Sequence, residues 1–245
     1  MKFQAIVLLS ATGLILFSVM ALPEGHNAMA QDASQVIQLP PPRLEGSMPL
    51  EKAIAARRSV REFKSGALDI AAVSQLAWAA QGVTQKTDAP KNWSWGTWQG
   101  GKRTAPSAGA LYALEVYILA GNVDGIRPGV YKYMPQTHQL IAVVSKDRRK
   151  ELAAAALGQA WIQTAPCVFV ITAVYQRTAV KYGDRATRYV HIEVGHAVEN
   201  ICLQAVALEL GSTMVGAFKD EEVKKVVGAA FDEEPLAIVP VGKER

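Results

Sequence analysis

The sequence predicts a single α+β domain, and three observations carry the prediction. From residue 48 onward, unbroken or alternating apolar runs take turns with runs of helical period, so strands and helices are interleaved. Within "GVYKYMPQTHQLIAVV" (129–144) two strand-like halves are joined by the short polar "MPQTHQ", a connection that forces antiparallel pairing. No internal repeat recurs. A mixed or antiparallel sheet flanked by helices satisfies all three.

The elements follow in order. After Lys2, "AIVLLSATGLILFSVMAL" runs without a charge, and "LPEGHNAMA" ends in the small-x-small pattern Ala28-Met29-Ala30. Residues 1–30 read as a secretory signal peptide cut after Ala30, which makes the protein secreted or periplasmic; an uncleaved anchor is the alternative. "QDASQVIQLPPPRLEGS" (31–47), with three successive prolines, is an extended arm leading to a domain at 48–245. Ser47 is placed to cap a helix with Pro49 and Glu51 in its first turn, running to about Arg58. Asp69 caps "IAAVSQLAWAAQ", with Val73, Leu76, Ala77 and Ala80 on one face and Gly82 as the stop. Residues 83–105 fit neither period and hold Trp93, Trp95 and Trp98, rings that must cover either core or ligand. "ALEVYILAG" (113–121) reads as a strand, "SKDRRKELAAAALGQAW" as one helix, and the unbroken "APCVFVITAVY" (165–175) as a buried strand. A long helix from about Arg188 to Leu210, a strand "TMVGAF", a helix from Asp220 and a last strand "PLAIVPVG" complete the chain.

Composition narrows the function. The chain has 245 residues, is 50% hydrophobic and carries a net charge of +4 with its basic residues scattered, which argues against nucleic acid. Cys167 and Cys202 both lie in apolar surroundings and read as buried free thiols. His191 and His196 are five apart, about 140° round a helix, so they do not form the His-Glu-x-x-His zinc motif and no metal site is expected. G-x-S-x-G and a strand-borne G-x-G-x-x-G are both missing. Glu193, His196 and Asn200 fall at helical spacing, a stripe that fits an interface or a solvated face.

What remains is "RRSVREF" (57–63). Arginine's planar fork makes paired charged hydrogen bonds to a phosphate, and Ser59 adds a hydroxyl donor. Small residues at Ser107, Ala108, Gly109 and Ala110, and again in "GSTMVGAF" (211–218), let backbone approach a flat ligand closely. A second cationic stretch, Lys243-Glu244-Arg245, ends the chain. Together these suit a ligand with one phosphate and one planar ring.

In this order, "RRSVREF", "PSAGALYALEVYIL", "GVYKY", "KYGDRATRYVHIEVGHAVENICLQAVALELGS", "GAF" and "PVGK" resemble the nitroreductase superfamily, and within it the SagB/ThcOx-type dehydrogenase branch, over residues 48–245. The resemblance implies a nitroreductase-like fold that binds FMN non-covalently as an intertwined homodimer, with no membrane or nucleic-acid partner. It implies that Arg57, Arg58, Ser59, Arg61 and Lys243 hold the phosphate and ribityl end. Pro106, Ser107, Ala108 and Gly109 would meet the flavin edge, and Gly216, Ala217 and Phe218 would lie near the ring. It implies Lys181 and Tyr182 as the catalytic pair, a base being needed when a hydride leaves a saturated carbon. Scaffold roles for that pair remain the alternative. The expected activity is FMN-dependent dehydrogenation of a small-molecule or peptide substrate of azoline type. Reduction of nitro compounds or quinones, and a non-catalytic module that keeps the fold, are the competing readings. The export signal sets the chain apart from branch members that act in the cytoplasm.

Overall fold

The computed structural model describes residues 35–245, so the expected signal peptide at 1–30 lies outside the described residues. Seven strands form one sheet: β1 (Val36–Gln38), β4 (Leu114–Ala120), β5 (Gly129–Met134), β6 (Gln139–Val144), β7 (Cys167–Ala173), β8 (Gly211–Ser212) and β9 (Glu234–Gly242). Their order is β1-β6-β5-β4-β7-β9-β8, and every neighbouring pair is antiparallel. The sheet is thus antiparallel within an α+β fold, in line with the hairpin that the sequence encodes.

Period-2 alternation sorts the central strands onto two cores. Leu114, Val116, Ile118 and Ala120 of β4, with Cys167, Phe169 and Ile171 of β7, face one cluster. Tyr117 and Leu119 of β4, with Val168 and Val170 of β7, face the other. Both faces are covered, which is why β7 carries no polar alternation and is buried at every position. On the first face lie α2 (Ile70–Gln81) and α6 (Ala186–Ala207). Asp69 caps α2 by accepting the Ala71 N–H at 2.9 Å, and Val73, Leu76, Ala77 and Ala80 are fully buried, as the period predicts. Each large aliphatic side chain of this kind contributes about 1.5–3 kcal/mol on burial. The second face is covered by α3 (Arg149–Ala155), α4 (Ala160–Thr164) and α7 (Asp220–Val227).

Several boundaries differ from the sequence reading. The first helix, α1, spans Leu50–Ala56, and Pro49, not Ser47, is its N-cap; the Pro49 carbonyl takes both the Lys52 and Ala53 N–H groups. Residues 145–161 do not form one helix: Leu157 (φ 60°) and Gly158 (φ 80°) adopt left-handed backbone between α3 and α4. The "TMVGAF" strand (213–218) is reduced to a single bridge from Val215 to Ile238, and the strand that forms, β8, lies just before it. Two short strands not foreseen, β2 (Val83–Lys86) and β3 (Gly101–Arg103), pair at the base of the tryptophan loop. A helix not foreseen, α5 (Tyr175–Tyr182), carries the Lys-Tyr pair. Part of the proline-rich arm docks on the sheet edge: β1 pairs with β6, and Leu39 is buried.

Candidate active site

The basic segment is placed by backbone pairing at both ends. Val60 N–H donates to Ser212 O at 2.9 Å, Lys64 N–H to Lys243 O at 2.9 Å, and Arg245 N–H to Glu62 O at 3.2 Å. Val60 and Phe63 drop into the second core, so Arg58, Ser59, Arg61 and Glu62 turn outward. Arg57 and Ser59 line a cleft of about 410 Å3, walled by Val194 and Val198 of α6 and by Met214 and Leu236. Cationic at one end and apolar along its walls, with Gly195 leaving open space, the cleft fits a phosphate-bearing planar group. Arg57 is lightly held, its Nε 3.8 Å from Glu199 Oε1; at this exposure such a pair is worth under about 1 kcal/mol and leaves the guanidinium free to exchange partners.

The remaining predicted binding residues divide. Arg58 folds back: its Nη1 donates to the Ala55 and Arg57 carbonyls at 2.8 and 2.7 Å, closing the end of α1. Arg61 lies 5.6 Å from the Trp161 ring centroid. Lys243 stands at the end of β9, beside Lys64. Gly216 and Ala217 are exposed just past Met214, and Phe218 packs against the second core.

A second cluster forms around Pro106, Ser107, Ala108 and Gly109. Gly109 has φ 64°, and a Cβ there would fall 2.9 Å from the Tyr182 hydroxyl and 3.3 Å from Lys181 Nζ. The fold therefore brings the small-residue turn and the Lys-Tyr pair into contact. Lys181 Nζ lies 5.5 Å from the Trp95 ring centroid and 5.3 Å from that of Tyr182. Trp93 and Trp98 stack edge-to-face at 4.7 Å, and their indole N–H groups donate to Gly96 O and Thr87 O, both at 2.8 Å. Those two tryptophans hold the loop, while Trp95, itself exposed, lies near an exposed Lys181.

The stripe on α6 links the two clusters. His191, Val194 and Val198 face the cleft. Glu193, His196 and Asn200 reach the segment before the turn: Ser107 Oγ donates to Glu193 Oε2 at 2.6 Å, His196 Nδ1 meets Pro106 O at 3.2 Å, and Asn200 Nδ2 donates to Thr104 O at 3.3 Å. Glu193 is 2% exposed, and burial pushes its carboxyl up to about 7, against the pull of the Ser107 hydroxyl and the nearby Arg103. Sequence reading left this stripe as an interface or solvated face; only the fold reveals its partner 86 residues earlier. Cys167 and Cys202 are free and buried, and burial raises both thiols, Cys167 to about 12. Among the described residues no group of three or more His, Cys, Asp or Glu side chains could hold a metal ion. Within one chain, the cleft of Arg57 and Ser59 and the Gly109–Lys181 cluster remain separate surfaces.

An antiparallel seven-stranded sheet covered on both faces, with a basic cleft of apolar walls, is a scaffold that can hold a phosphate-bearing planar ligand. The chain belongs to the nitroreductase family, whose model matches residues 54–243. Over 195 residues it is 42% identical to a protein of Methanocaldococcus jannaschii that carries the name nitroreductase, covering 80% of this chain and 91% of the relative. The Rhizobium leguminosarum trifolitoxin-processing protein TfxB is 27% identical over 131 residues, half of this chain but 35% of its own. Among solved structures, a nitroreductase-class protein from Ralstonia eutropha superposes with TM-score 0.70 at 28% identity, covering 86% of this chain and 90% of the other. A chain of the Escherichia coli microcin synthetase complex shares the fold, with TM-score 0.62 at 20% identity over 94% of this chain and 85% of its own.

Proposed function

We propose that this protein is an FMN-dependent dehydrogenase of the SagB-like branch, acting on an azoline-type small molecule or peptide. The observation that carries the reading is the placement of Lys181 and Tyr182 directly against Gly109. When bound, FMN supplies the hydride acceptor for the bond being oxidised. Arg57 and Ser59 in the cleft would hold its phosphate end, with Arg61 and Lys243 as further cations outside the cleft lining, and the wall of Val194, Val198 and Leu236 would exclude water from the ring. Lys181 Nζ, in its neutral amine form, would take the proton that leaves as the substrate is oxidised, with the Tyr182 and Trp95 rings beside it to orient it. The trifolitoxin-processing relative supports a peptide-derived substrate.

The separation of cleft and Lys-Tyr cluster within one chain supports a homodimer in which each copy completes the other's site, to be checked by light scattering. Export under the signal at 1–30 belongs to the same proposal; N-terminal sequencing of exported protein should begin at Gln31.

Adding FMN should raise the melting temperature of the purified protein by mass action. Arg57→Ala combined with Arg61→Ala should remove that gain. An undiminished gain in the double variant would refute the phosphate assignment, and a colourless protein indifferent to FMN would favour a non-catalytic module. Reduction of nitro compounds or quinones is the second enzymatic reading, favoured by the Methanocaldococcus jannaschii relative. Lys181→Ala separates the two: loss of a general base should slow dehydrogenation about 100-fold or more while sparing nitro reduction. Equal loss of both activities would remove Lys181 from the role of base.

A further inference from the structure

Ser107 has three hydrogen-bonding valences, and the fold has already committed two. Its Oγ accepts the Tyr112 N–H at 2.9 Å and donates its own hydrogen to Glu193 Oε2 at 2.6 Å. While Glu193 is ionised, the hydroxyl hydrogen is therefore turned inward, and Ser107 offers its neighbourhood nothing but a lone pair. If Glu193 gains a proton on Oε2, the direction reverses: the carboxyl donates to Ser107 Oγ, both serine lone pairs are filled, and the serine hydrogen turns outward. The surroundings make this reversal accessible. Glu193 Oε1 is buried and makes no hydrogen bond of good geometry, and burial favours the neutral carboxyl over the pull of the nearby Ala113 and Leu114 backbone N–H groups.

The charged and titratable groups facing Glu193 come from four elements. Arg103 of β3, itself buried, donates to Gln81 Oε1 at 2.9 Å and stacks 4.6 Å from the Tyr112 ring centroid. Arg103 sets a positive potential at Glu193 without an ion pair to it. Tyr112 lies just past the turn, its own ionisation suppressed by burial. Beyond Arg103 stand Glu115 of β4 and Arg177 of α5, bonded to each other. Lys181 and Tyr182 of α5 lie across Gly109, and His196, on α6 itself, is held by Pro106 O.

We infer that Glu193 and Ser107 form a proton-linked switch that couples FMN binding to the uptake of a proton. The inference rests on the reading that the 106–109 turn meets the edge of the flavin. That edge would present mostly acceptors, carbonyl oxygens and ring nitrogens, beside one N–H donor, and an acceptor placed against Ser107 needs a donor where ionised Glu193 leaves only a lone pair. Binding would select the protonated state: one proton enters from solvent and comes to rest on Glu193 Oε2, and the serine hydrogen, still bonded to Oγ, is donated in a hydrogen bond to the ligand. No electron moves in this step. Glu193 acts as a positioning residue, through Ser107.

The test is calorimetric titration of the apoprotein with FMN at about pH 8, in buffers of differing ionisation enthalpy. The wild type should take up close to one proton per FMN, and its Kd should rise about tenfold per pH unit above 7. Glu193→Gln places a permanent donor beside Ser107, so FMN should bind with no proton uptake and a Kd flat across the same range. Ser107→Ala should bind FMN more weakly, also without uptake, and it covers the case in which the glutamine variant does not fold. FMN that binds the wild type without proton uptake overturns the switch and leaves the flavin assignment standing. So does undiminished uptake in either variant. A wild type that refuses FMN altogether overturns both.

Discussion

Glu193→Gln should stabilise the ligand-free protein at pH 8 by as much as about 3 kcal/mol. The carboxyl titrates near 7 in the fold against an ordinary 4.5, because burial disfavours its charge more than Ser107 and Arg103 favour it. Between those values the folded chain holds a proton that the unfolded chain has released. The stabilisation linked to this carboxyl is therefore complete below about 4.5, falls as pH rises, and is lost above about 7. Glutamine carries no charge to bury and is exempt from that loss. The wild type should lose melting temperature between pH 5 and 7.5 while the variant stays nearly level, the gap reaching about 5–10 °C. A variant that melts below the wild type at pH 8 would mean that Arg103 pins the carboxylate in its charged form, against this account.

Glu233→Ala should act in the opposite direction, with a loss of about 3–5 kcal/mol. Glu233 is 2% exposed; it takes Lys132 Nζ on Oε1 and the Thr172 hydroxyl on Oε2, both at 2.7 Å. Lys132 also lies 3.3 Å from Glu115, which in turn holds Arg177. The result is a ribbon of alternating charge from α5 across β4 and β5 to the start of β9. Deleting Glu233 leaves a buried threonine hydroxyl unpaired and two cations sharing one carboxylate. Glu233→Gln keeps the shape and one acceptor, and should cost roughly half as much. Urea midpoints of the two variants measure both effects; equal, small losses would show that Glu115 alone suffices for Lys132.

What was legible in the sequence follows from what is local. The α2 period, its Asp69 cap and the unbroken run of β7 each encode their environment within a dozen residues, and each matches the structure. The sheet's antiparallel character was readable from one hairpin, and the nitroreductase fold from ordered motifs. Helix α5 escaped notice because "YQRTAVKY" is polar and short, and its neighbouring glycine suggests a turn. Leu157 broke an apparent helix because a left-handed leucine has no signature in sequence. The arginine cluster was visible as charge, yet sequence could not reveal that Arg58 folds back onto α1 while Arg57 enters the cleft. Nor could it pair Glu193 with Ser107, since that contact exists only once α6 lies across the turn.

The pairing of residues 59–64 with 212 and 243–245 has a consequence for the order of assembly. Strand β9 lies between β7 and β8, so the edge strand β8 has no place in the sheet until β9 is paired with β7. The arginines come early in synthesis, but the surface that aims them comes last. Such long sequence separations slow folding and delay it past the ribosome. A chain of this design has no formed cleft with which to capture a ligand until residues 212 and 243–245 are in place. Removing Glu234–Gly242 would strip β7 of one neighbour and leave β8, whose Ser212 carbonyl holds the Val60 N–H, without its partner strand.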